Sequence, residues 1–100
     1  MQLVRDFLRA QNLEQVGRVD EALELYEAML AAAFDATGPY DRLIAVYGDR
    51  ALHGEVVRVA EAALANVQTH AEKRAWYEKM RIEAGKASAR VPKAAPKSSR

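Results

Sequence analysis

A chain of 100 residues, with 15 lysines and arginines, 14 aspartates and glutamates and a net charge of +1, has the size of one small domain able to bury a core. Half of it is apolar, alanine is abundant and cysteine is absent, which favours closely packed helices and excludes a disulfide framework or a thiolate metal site. The near-neutral total hides an asymmetry: Lys86, Arg90, Lys93, Lys97 and Arg100 stand in residues 86–100 without any acid, so the preceding body is mildly acidic.

The opening Met1-Gln2-Leu3-Val4-Arg5-Asp6 carries charge at once and has no signal-like apolar run. No stretch reaches membrane-spanning length, so a cytoplasmic protein without a membrane partner is expected. Leu3, Phe7, Ala10 and Leu13 recur at helical spacing, with Val4 and Leu8 widening the stripe, and predict a first helix over about 2–16. Gly17 ends it. Asp20 as N-cap and Glu21 in the first turn predict a second helix over about 20–33. Ala22, Leu25, Tyr26, Met29 and Leu30 form its buried stripe, while Glu21, Glu24 and Glu27 make a solvated face.

Phe34-Asp35-Ala36-Thr37-Gly38-Pro39 reads as a linker, with Pro39 opening the third helix and Phe34 packing between hairpins. That helix should reach about residue 52, with Leu43, Ile44 and Tyr47 inward and Tyr40 and Val46 beside them. A fourth helix over about 55–68 buries Val56, Val59, Ala60, Ala63, Leu64 and Val67, and its β-branched residues make it depend on tertiary packing. Thr69 and Glu72 form a capping-box pattern for a fifth helix over 70–84, with Ala71, Ala75, Trp76, Met80 and Ala84 on one face and Tyr77 and Ile82 flanking it. Beyond Gly85, alanine, lysine, serine and two prolines predict a basic disordered tail over 86–100.

Displacing the chain by 34 positions brings Glu21 onto Glu55, Leu25 onto Val59, Glu27 onto Glu61, Ala28 onto Ala62, Leu30 onto Leu64 and Gly17 onto Ala51. The segment resembles the tetratricopeptide family, where Gly17, Ala22, Tyr26 and Met29 take its turn and helix-packing positions. It departs from that pattern at Asp6, where an aromatic is usual, and at Val56 and Ala60 in the second copy. The resemblance implies an all-α fold of right-handed stacked helical hairpins, a TPR-like α-solenoid of five helices. The repeats cover about 3–36 and 37–70 and the capping helix 70–84, together a domain over 1–85. The phrase GRVDEALELYEAML followed by YDRLIAVYG also resembles the pentatricopeptide family, whose helical hairpins read RNA.

No P-loop, nucleophile elbow or Gly-rich dinucleotide turn occurs. His53 and His70 are expected in separate turns without metal-ligand spacing, and Asp41 and Asp49, two turns apart, on a shared solvated face. The sequence thus implies no catalytic residues, no metal and no cofactor, and the expected class is a binding module rather than an enzyme.

Tetratricopeptide-like arrays bind peptides along the concave surface formed by the first helix of each pair. By position, the resemblance nominates Val4, Phe7, Gln11, Glu14 and Gln15, then Asp41, Ala45, Gly48 and Asp49, then Ala75, Lys79 and Ile82. These positions lack the Lys/Asn/Arg set with which some members clamp a C-terminal carboxylate, so a peptide ending in acids is not expected to bind. An adaptor or scaffold for a protein or peptide partner is the first functional expectation. A nucleic-acid partner held by the basic tail is the alternative, and a homodimer through an open apolar edge of the first helix is a further possibility.

Overall fold

The computed structural model describes residues 2–68 and 70–94. The apolar stripes fold as α1 (Gln2–Gln15), α2 (Val19–Ala31), α3 (Thr37–Asp49), α4 (His53–Asn66) and α5 (Arg74–Ala94), the last preceded by a 3₁₀ turn over Ala71–Lys73. There is no strand among the described residues. Each helix packs on its successor in the chain, and α4 against α5 is the most extensive of these contacts.

The first three helices end in the same way. At the end of α1 the N–H of Arg18 donates to the Leu13 carbonyl at 2.8 Å and that of Gly17 to Glu14 at 3.1 Å. At the end of α2, Phe34 donates to Met29 at 3.2 Å and Ala33 to Leu30 at 3.0 Å. At the end of α3, Leu52 donates to Tyr47 at 2.9 Å and Ala51 to Gly48 at 3.0 Å. These are Schellman terminations, which satisfy orphan carbonyls by putting one residue in the left-handed region. Gly17 (φ +87°), Ala33 (φ +55°) and Ala51 (φ +58°) occupy that place. Gly17 and Ala51 are the pair aligned by the 34-residue displacement, but Ala33 shares their conformation while its displaced counterpart Val67 does not, so the motif marks helix ends rather than the period.

The predicted helix starts shift by a few residues. Arg18, not Asp20, stands at the N-cap of α2 and Ala36 at that of α3, so Pro39 is the third residue of its helix rather than the first. His53 begins α4 instead of lying in a turn. Thr69, one half of the expected capping box, lies outside the described residues; Glu72, the other half, sits 3.6 Å from His70. α5 does not stop at Ala84. Ala, Lys and Arg after Gly85 are strong helix formers, and one glycine costs a growing helix only about 1 kcal/mol. Residues 86–94 of the expected tail, Pro92 among them, lie in α5, and 95–100 lie outside the described residues.

The core runs through all five helices. Ala10, Ala22, Tyr26, Met29, Tyr40, Leu43, Val59, Ala60 and Ala63 are fully buried, with Val67 and Tyr77 nearly so. Burying a side chain the size of Leu43 or Val59 contributes about 1.5–3 kcal/mol. Ala10 and Ala22 let α1 and α2 approach closely, and Tyr26 fills the space beside them. The Phe7 ring reaches across to Tyr26 (centroids 5.9 Å apart) and lies over Gly38, where a Cβ would come within 2.5 Å of its Cζ. Gly38 is thus needed for the close approach of α1 to the start of α3.

Two expected parts of the core are not buried. Val4 and Leu8, read as widening the α1 stripe, are 50% and 55% exposed, because only α2 and the start of α3 cover this helix. On α5, Tyr77 and Ala84 are the buried residues and Trp76 and Met80 are half-buried, while Ala75 and Ile82, and Ala71 in the preceding turn, are exposed. The inward face of α5 is therefore turned toward Tyr77, which has a hydrogen-bond acceptor waiting for its hydroxyl.

Candidate functional site

Three carboxylates tie non-adjacent helices together. Glu14 on α1 accepts the Tyr26 hydroxyl of α2 at 2.7 Å and a bidentate pair from the Arg42 guanidinium of α3, at 2.9 Å from Nε and 2.7 Å from Nη2. Glu27 on α2 accepts the Tyr47 hydroxyl of α3 and two bonds from Arg58 of α4, at 3.1 Å from Nη1 and 2.6 Å from Nη2. Asp41 on α3 accepts the Tyr77 hydroxyl of α5 at 2.9 Å and pairs with Lys73, just before α5, at 3.2 Å. Each unit joins a carboxylate, a tyrosine and a cation from three segments. The first and third link α1 to α3 and α3 to α5; the second links α2 to α4.

The electrostatics follow from this geometry. Hydrogen bonds from Arg42 hold the Glu14 carboxyl below its ordinary range, with Tyr26 helping and burial opposing. Burial pushes Glu27 upward, but the bonds from Arg58 and Tyr47 outweigh it, and the carboxyl is again lowered. Burial followed by the Glu27 bond pushes the Tyr47 phenol up to about 12. The same two causes raise Tyr26 beside Glu14 and Tyr77 beside Asp41, and burial raises Tyr40, whose hydroxyl donates to the Phe34 carbonyl at 2.7 Å. No buried side-chain polar atom among the described residues lacks a hydrogen-bond partner.

The nominated binding residues divide between two concavities. Gln11, Glu14 and Gln15 of α1 and Arg42 of α3 line one of about 400 Å³, which is polar and whose two charges satisfy each other. Asp41, Ala45, Gly48 and Asp49 of α3 line the other, of about 410 Å³, together with Ile44, Lys73, Trp76 and Met80. A further recess of about 220 Å³ shares Ile44, Gly48 and Met80 with it and adds His53, Val56, Glu83, Ala84 and Ala87, so a continuous groove runs between α3 and α5. Phe7 is packed against Tyr26 rather than lining either space, and Val4 lies on the open face of α1. Ala75, Lys79 and Ile82 line none of the three.

Sequence reasoning missed Lys73, Trp76 and Met80 as groove residues. Lys73 Nζ lies 4.1 Å from the Trp76 ring centroid and 5.5 Å from that of Tyr77 while it pairs with Asp41. This cation–π contact packs the ammonium against the indole that lines the groove. The spacing Lys73–Trp76–Met80, which places all three on one side of a helix, was the available signal. Among the described residues no cluster of three or more His, Asp or Glu has the geometry to hold a metal ion. No helix among them is long and apolar enough to cross a membrane.

No family model matches the chain, and neither a curated protein nor a solved structure matches it.

Proposed function

We propose that the chain is a TPR-like helical-repeat module that binds a peptide or partner helix in the groove between α3 and α5, acting as an adaptor or scaffold rather than an enzyme. The observation that carries this reading is the groove itself: an apolar floor of Ile44, Ala45 and Met80, a tryptophan wall and few polar groups, held open by the Asp41 link between its two walls. Sites of this kind are concave and mostly apolar, with a small number of polar groups to orient the ligand. The alternation of α1, α3 and α5 on one side, linked through Glu14 and Asp41, with α2 and α4 linked through Glu27, supports stacked hairpins. In this reading α5 caps the second hairpin.

The test is a photo-crosslinking amino acid placed at Ala45 in the full chain, in its native cells. A discrete protein adduct at Ala45, absent when the same group is placed at the exposed Glu24 of α2 and lost on Gly48→Leu, is the expected result. A Cβ at Gly48 enters open space, and a leucine side chain there is placed to occupy the groove that Gly48 lines. Equal adducts from Ala45 and Glu24 would refute the reading.

A further inference from the structure

The charge of the groove narrows the partner, on the assumption that the groove is the binding site. Asp41 is occupied by Tyr77 and Lys73, and Lys73 is in turn occupied by Asp41 and the Trp76 ring. Asp49 and Glu83 line the same groove and enter no ion pair among the described residues. No arginine lines it, and its one lysine is already neutralised. Two negative charges without an ion-pair partner among the described residues therefore stand beside an apolar floor.

We propose that the groove takes a cationic amphipathic segment of a partner protein, with apolar side chains seated on Ile44, Met80 and Trp76 and lysines or arginines paired with Asp49 and Glu83. An acidic segment would bring like charges together in a partly desolvated cleft, and juxtaposed like charges are a strong source of rejection. Nucleic acid meets the same repulsion, because its phosphates would face Asp49 and Glu83. Gly48 fits the same picture. It sits one residue from the end of α3, where glycine is a poor helix former, and open space lies above it, which leaves room for an incoming side chain.

Trp76 is the only tryptophan, so its emission reports occupancy of the groove. The full chain is titrated with a short amphipathic peptide built from leucine and lysine alone, with the same peptide carrying glutamate for lysine, and with a uridine oligonucleotide. The lysine peptide should change Trp76 emission saturably. Asp49→Asn and Glu83→Gln should each weaken it about threefold and together roughly tenfold, as expected for part-exposed ion pairs acting independently. Gly48→Leu should abolish the response. An undiminished response in the Asp49→Asn, Glu83→Gln double variant would overturn the proposal. So would tighter binding of the oligonucleotide. If the glutamate peptide binds as well as the lysine one, and Gly48→Leu blocks both, the charge assignment fails while the groove remains a binding site. If neither peptide binds, both readings fall.

Discussion

Replacing Ala51 with glycine should stabilise the chain, although it removes a methyl group. Ala51 holds φ +58° to complete the termination of α3. A left-handed residue that carries a Cβ costs roughly 1–2 kcal/mol, and glycine gives back about 0.5–1 kcal/mol through its larger unfolded-state entropy. The net gain is about 1 kcal/mol, which in a domain of this size raises the melting temperature by about 4–8 °C. Gly17→Ala is the mirror experiment. Its φ is +87° and a Cβ there meets nothing within 4 Å, so the expected loss of about 1 kcal/mol is conformational and not steric. Urea unfolding followed by far-UV circular dichroism measures both. Because the two sites share no interaction, the double variant should return close to the parent stability. A destabilising Ala51→Gly or a stabilising Gly17→Ala would refute the claim that α1 and α3 end in the same left-handed motif.

Three further outcomes follow from the carboxylate links and the open edge. Glu14 and Glu27 have folded values below the ordinary 4.5, so the stability they contribute is complete above that value and disappears as pH falls through it toward the lowered values. Urea midpoints at neutral and mildly acid pH should show this loss, and a Glu14→Gln, Glu27→Gln double variant should be less stable at pH 7 and less sensitive to acid; equal acid sensitivity would contradict it. Asp41→Ala leaves the nearly buried Tyr77 hydroxyl without its acceptor and should cost about 1–3 kcal/mol, and Tyr77→Phe in the same chain should recover part of it; an additive double variant would show that the two side chains do not interact. Leu8→Lys should change stability by less than about 0.5 kcal/mol, since Leu8 is 55% exposed, and should abolish any concentration-dependent association in sedimentation. A dimer that survives it uses another face.

Much of the fold was legible because helical periodicity is a local signal. In the stripes of α2, α3 and α4, Ala22, Tyr26, Met29, Leu43, Val56, Val59 and Ala63 are buried as read, while Leu25, Leu30 and Leu64 are only half-buried and Leu23, not expected inside, is buried. The 34-residue displacement pairs Gly17 with Ala51, and both are left-handed, but so is Ala33, whose displaced counterpart Val67 is not. What the sequence hid depends on helices meeting in space. Glu27 sits on the polar side of its own helix and reads as solvated, yet α3 and α4 supply a tyrosine and an arginine to it. Asp41 was read as exposed for the same reason. On α5 the apolar face was centred on Trp76 because hydrophobicity alone ranks indole highest, but only Tyr77 carries a hydroxyl positioned to meet Asp41. Of the nominated residues, Asp41, Ala45, Gly48 and Asp49 line the concavity between α3 and α5, whereas Ala75, Lys79 and Ile82, about a third of a turn around α5 from Trp76 and Met80, do not.

The Tyr77–Asp41 bond joins α5 to α3 across the groove, and the tyrosine hydroxyls that join the helices can be followed by tyrosinate absorbance as pH is raised. All four tyrosines have folded values above the ordinary 10, so the stability their neutral phenols contribute is intact below pH 10 and is lost as pH climbs through the raised values. No tyrosine should ionise near pH 10 while circular dichroism remains native, whereas in denaturant all should ionise near that value. A tyrosine that titrates at its ordinary pH in the intact helical chain, with the step removed by Tyr77→Phe, would show that α5 is not held to Asp41 and would contradict the account.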